Sequence, residues 1–86
     1  MRDSVIADKS KNFAVRIVKL QQYLMDTRKE WVISRQICRS GTSIGANVRE
    51  AYRAQSDADF IAKLHIALKE ADETEYWLEI LYETGY

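Results

Sequence analysis

The chain is 86 residues long, 47% hydrophobic and 30% charged, with a formal net charge of zero. That composition belongs to a globular protein rather than a disordered one, the length sets a single domain over residues 1–86, and no apolar run approaches the roughly 20 residues needed to span a bilayer. A single cysteine, Cys38, excludes an internal disulfide and a multi-cysteine zinc site.

The opening stretch MRDSVIADKSKNF is too charged for a signal peptide, so a cytoplasmic protein is expected. The zero net charge conceals a split. Residues 1–53 hold 11 Lys/Arg against 5 Asp/Glu, whereas residues 54–86 hold 2 against 8. Such asymmetry suits a nucleic-acid-binding face, head-to-tail subunit contacts or pairing between helices. A monomer of this size buries only about two-thirds of the surface its unfolded chain exposes, so self-association would supplement its stability.

Proline is absent and the glycines fall at 41, 45 and 85, so long helices are expected. The first runs from about Ser10 to Met25, because Phe13, Ile17, Leu20 and Leu24 recur within about 60° at 100° per residue. After a connection at Asp26–Glu30, Thr27 and Glu30 form a T-x-x-E capping box, and a second helix is expected over about 28–54. Its apolar face is Ile33, Ile37, Ile44, Val48 and Ala51. Gly41 and Gly45 lie one turn apart on a flank, where missing side chains let another helix approach closely. Ser56, with Asp59 at the box position, opens a third helix over 57–83. Phe60, Leu64, Ala67, Ala71, Leu78 and Leu81 make its principal stripe, and Ile66, Tyr76, Trp77 and Ile80 form a second apolar set. A helix apolar on two sides needs two neighbours. Either a fourth helix is missing or truncated, or another subunit covers Ile66, Trp77 and Ile80.

The second helix carries the functional candidates. Arg35, Arg39, Arg49 and Arg53 fall within about 80° of one another opposite the apolar stripe, and Arg16 and Lys19 on the first helix extend the patch toward a phosphate-binding surface. The plain alternative is a solvated helix face, since no aromatic side chains interleave the arginines as a single-strand platform requires. Gln36, Ser40, Ser43, Asn47 and Glu50 form a polar seam beside the apolar stripe, where side chains fix register against the third helix or another subunit. No active site, metal site or cofactor is expected. Ser40 and Ser43 have no histidine nearby in sequence, His65 stands alone, and the carboxylates of Asp57 and Asp59 are explained by helix capping.

R-S-G-T-S-I-G-A-N-V-R-E-A at 39–51, S-D-A-D-F-I-A-K-L-H-I-A-L-K-E-A at 56–71 and Tyr76-Trp77-Leu78 together resemble the bacterial four-helix-bundle family encoded in intervening sequences of the 23S rRNA gene. The resemblance implies an all-α, up-down-up-down antiparallel four-helix bundle, of which this chain supplies three helices, assembled as a homopentamer. Through the similar accessory variability proteins of diversity-generating retroelements it also implies a basic surface for RNA or DNA and a reverse transcriptase as partner. The family signature falls on Arg39, Ser40, Ser43, Ile44, Asn47 and Glu50. The leading expectation is a non-enzymatic homo-oligomer that binds nucleic acid. The alternative is a protein-interaction module whose arginines pair with the acidic helix of a neighbouring subunit.

Overall fold

A computed structural model describes residues 4–86, in which the chain forms α1 (Val5–Asp26), α2 (Val32–Ala51) and α3 (Asp57–Glu83). Among the described residues every regular element is helical. None of these helices is long and apolar enough to cross a membrane.

Helix α1 starts five residues earlier than the expected Ser10. Ser4 is its N-cap, with its hydroxyl accepting from the Ala7 amide at 3.0 Å and Asp8 in the first turn. Both features lower the cost of the unpaired amides at a helix start. Ser10 instead lies buried inside the helix, where its hydroxyl donates to the Ala7 carbonyl at 3.2 Å.

Helix α2 is shorter than the expected 28–54 at both ends. Thr27 caps the end of α1, its amide donating to the Tyr23 carbonyl at 2.9 Å, and Lys29 turns the chain in a left-handed conformation (φ 58°). Glu30 does cap α2, but its carboxylate reaches forward rather than back to Thr27. It accepts from the amides of Val32, Ile33 and Ser34 at 3.0, 2.9 and 2.7 Å. Three donors that a helix start leaves unpaired are thereby met by one negative charge at the positive end of the helix dipole. At the other end, Arg53 and Ala54 donate three residues back, to Glu50 and Ala51 at 3.0 and 3.1 Å, which tightens the last turn out of α-helical register.

Helix α3 has the expected bounds. Ser56 accepts from the Asp59 amide at 3.1 Å. At the far end Gly85 takes φ 91°, while the amides of Gly85 and Tyr86 donate to Tyr82 and Leu81 at 3.3 and 2.9 Å. That is a Schellman closure, in which glycine supplies the left-handed residue.

Helix α2 is the centre of the molecule: α1 and α3 each pack on it while their own backbones stay apart. The core gathers Ile17 and Leu24 from α1, Ile37 from α2 and Leu81 from α3, flanked by Phe13, Leu20, Ile33 and Trp77. The two helical glycines set the approach of α1. A Cβ at Gly41 would stand 2.8 Å from both Cγ1 and Cγ2 of Ile17, and one at Gly45 would stand 3.2 Å from the backbone of Ser10. The close-approach role that their spacing implies is met by α1.

Candidate nucleic-acid interface

The four candidate arginines do not act alike. Arg39 is drawn onto α3: its guanidinium bonds Glu70 at 3.2 Å and also bonds the Glu73 carboxylate. Glu73 accepts in addition from the indole N–H of Trp77 at 3.0 Å. The Trp77 hydrogen bond, and after it the one from Arg39, hold the Glu73 carboxyl below its usual range. The same contact with Glu73 raises the Arg39 guanidinium pKa. Arg39 therefore serves mainly as a charged clasp between α2 and α3.

Arg49, in the last turn of α2, and Arg53, in the turn just beyond its end rather than on the helix as expected, face α1. With Lys11 they line an open groove of about 370 Å³ whose walls include the small residues Ala7, Ala14, Gly45 and Ala46. The small floor follows from the same close helix approach that Gly45 permits. Glu50 also lines this groove, yet its carboxylate is held by Lys63 of α3 at 3.1 Å. Among the described residues Lys11, Arg49 and Arg53 have no ion-pair partner. Three uncompensated cations thus border one concave surface. Arg35 is exposed and, at 1.5 Å per residue, sits roughly 21 Å along the helix from Arg49.

Lys11 was not among the residues singled out from sequence. A start at Ser10 would have put it in a fraying first turn, and the usable signal was Ser4 followed by Asp8, which begins the helix early enough to place Lys11 opposite Gly45. Lys19 lies instead on the outer face of α1, lining a shallow recess with Lys11, Ala14, Val15, Val18 and Gln22. Arg16 is exposed on another flank, about 140° from Lys11 at 100° per residue.

The polar seam divides in two. Ser40 is fully buried and its hydroxyl is hydrogen-bonded to Thr74 of α3 at 2.8 Å, while Thr74 Oγ1 also lies 2.8 Å from the Glu70 carbonyl. Each hydroxyl carries one proton, so a relay in which Ser40 donates to Thr74 and Thr74 donates to that carbonyl satisfies both. Glu50 reaches α3 through Lys63. Ser43 and Asn47 turn back onto their own helix, donating to the carbonyls of Arg39 and Ser43 at 2.7 and 2.8 Å. Gln36 is exposed. In the second apolar set, Trp77 packs on the core, Ile80 is half-buried and Ile66 is exposed. Cys38 is half-buried, His65 is exposed, and among the described residues no cluster of three His, Cys, Asp or Glu is placed to hold a metal ion.

A central helix clasped to both neighbours, with small residues at the helix contacts and cations on the outside, defines a small antiparallel helical-bundle protein with a cationic outer face. The chain matches the family model for 23S rRNA-intervening sequence protein over residues 2–86 and belongs to that family. It is similar to a crystal structure of a protein with unknown function from the S23 ribosomal protein family of Bacteroides thetaiotaomicron VPI-5482, at 67% identity and a TM-score of 0.94 over 95% of this chain and 76% of that one. No curated protein matches.

Proposed function

We propose that this protein is a non-enzymatic, cytoplasmic, homo-oligomeric helical bundle that binds RNA or DNA through phosphate contacts, with Lys11, Arg49 and Arg53 as the principal surface and Arg35 extending it. The observation that carries the reading is the groove in which these first three cations meet with no ion-pair partner among the described residues, Glu50 beside them being held by Lys63. Phosphate oxygens are the ligands that release counterions from such a surface, and they carry little base information. In this reading the trough between α1 and α3 receives a fourth antiparallel helix, completing an up-down-up-down bundle. The separation of α1 from α3 supports it. A pentameric ring and a reverse transcriptase partner come from the family resemblance alone.

Fluorescence anisotropy with a structured RNA, stepped from about 50 to 500 mM salt, tests the proposal. Affinity should fall steeply, with a slope near −0.9 per phosphate neutralised. Arg49→Glu with Arg53→Glu should weaken binding at least about tenfold and flatten that slope, whereas Arg39→Gln, whose charge is already engaged by α3, should change it less than about threefold. Absent binding, or binding indifferent to salt and to the Arg49/Arg53 reversal, overturns the reading. The alternative, a protein-interaction module, draws support from the Arg39 clasp to Glu70 and Glu73. It expects charge reversals at the remaining arginines to alter assembly mass, with nucleic acid making no difference.

A further inference from the structure

The groove that gathers Lys11, Arg49 and Arg53 also carries two side chains that phosphate alone does not explain, Glu50 and Thr42. Glu50 follows Arg49 directly, and its carboxylate repels phosphate. Its Oε1 lies 3.1 Å from Lys63 Nζ on α3, its side chain is 58% exposed, and among the described residues Oε2 has no ion-pair partner. A carboxylate accepts hydrogen bonds and donates none. Thr42 spends the one proton of its hydroxyl on the Cys38 carbonyl at 2.7 Å, so toward the groove it too can only accept. Both uncharged-donor positions of the lining are thus acceptors. A ligand that satisfies the whole groove brings anionic oxygens for the three cations and hydroxyl or amino protons for Glu50 and Thr42.

The two nucleic-acid backbones differ in that respect. Deoxyribose and phosphate offer acceptors only, whereas every ribose places a 2′-hydroxyl, a donor, beside its phosphate. In an A-form duplex these hydroxyls are displayed along a wide, shallow minor groove between the phosphate strands. Base amino groups are the other donors, but a protein that takes single strands stacks their bases on aromatic side chains, and none lines this groove. Lys63 stands outside the lining and engages Oε1 of Glu50. That contact leaves the second oxygen to the ligand and keeps the carboxylate from folding onto Arg49 or Arg53.

We infer that the groove selects double-stranded RNA, with Glu50 accepting from a ribose 2′-hydroxyl while Lys11, Arg49 and Arg53 hold the neighbouring phosphates, and with Lys63 positioning Glu50. This rests on the phosphate-binding reading of the groove and narrows its ligand from nucleic acid to one class. Glu50 rejects as well as selects: against DNA its charge contributes repulsion with no hydrogen bond in return.

Fluorescence anisotropy of the full chain with RNA, DNA and 2′-O-methyl RNA duplexes of one sequence tests it, circular dichroism confirming that each variant keeps its helices. The RNA duplex should bind about tenfold tighter than the DNA duplex and than the 2′-O-methyl duplex, which keeps the A-form but lacks the donor. Glu50→Ala should cut that preference to less than about threefold, with DNA affinity rising as the repulsion goes. Lys63→Ala should weaken all three duplexes about threefold or more, because the freed carboxylate competes for the cations, and adding Glu50→Ala should undo that loss. Salt-sensitive binding with equal affinity for RNA and DNA, or an RNA preference that survives Glu50→Ala, overturns the role of Glu50 and leaves the phosphate-binding reading standing. A Lys63→Ala loss that Glu50→Ala does not relieve overturns the positioning role of Lys63. Absent binding to every duplex, or binding indifferent to Arg49→Glu with Arg53→Glu, overturns both this inference and the reading beneath it.

Discussion

Gly41 is the residue at which the contact between α1 and α2 tolerates least. An added Cβ would lie 2.8 Å from two carbons of Ile17, well inside the roughly 3.5–4.0 Å of a favourable carbon contact. Overpacking of this kind costs about 1–3 kcal/mol, against about 1 kcal/mol gained by alanine over glycine in a helix. Gly41→Ala should therefore destabilise by up to about 2 kcal/mol in urea unfolding, and the penalty should disappear in an Ile17→Ala background, where the obstructing carbons are gone. Glu73 makes a different residue-scale prediction. Its carboxyl, first through Trp77 and then Arg39, is held below the usual 4.5. A depressed folded pKa means that its contribution is present above about pH 4.5 and is lost as pH falls through the folded value. Comparing thermal unfolding of wild type and Glu73→Gln from pH 7 to 3 should show a difference of at most about 1 kcal/mol at neutral pH, because the pair is exposed, shrinking toward acid. A difference that grows on acidification would contradict the assignment.

Among the elements, α3 was legible from sequence at both ends because its signals are local: Ser56 with Asp59 at the start, Gly85 at the end. Helix α2 was less so. The T-x-x-E pattern pointed to the right carboxylate but the wrong geometry, since the left-handed turn at Lys29 lets Glu30 cap forward onto Val32, Ile33 and Ser34. Nothing in the pattern distinguishes the two directions. Replacing one side chain that satisfies three amides should be costly: Glu30→Ala is expected to lower stability by about 1–2 kcal/mol. Hydrogen exchange should accelerate at Val32, Ile33 and Ser34 before the middle of α2 responds, and Glu30→Gln, which keeps an acceptor but no charge, should fall between the two. Uniform acceleration along α2 would assign Glu30 a role other than capping.

For the whole molecule, periodicity gave the helices and their apolar faces, but the partners chosen by particular charges depend on which helices become neighbours. Arg39, indistinguishable on a helical wheel from Arg49 and Arg53, is drawn to Glu70 and Glu73 only because α3 packs on that flank of α2. Lys11 joins the groove only because Gly45 brings α1 in. The central position of α2 has an energetic consequence as well. Among the described residues helices α1 and α3 each pack on one helix, leaving Val15, Val18, Ile61 and Leu68 partly or largely in water, so the proposed self-association should contribute a sizeable part of the stability. Species that bind the folded state stabilise it by mass action, and a hundredfold rise in concentration is worth up to about 2.7 kcal/mol. At about 2.1 cal/mol/K per residue, the unfolding entropy of a chain this size is roughly 180 cal/mol/K. The midpoint of thermal unfolding should then rise on the order of 10 °C between about 1 and 100 μM protein. A wild-type midpoint that does not move over that range would mean that the three helices are stable without a partner on their outer faces.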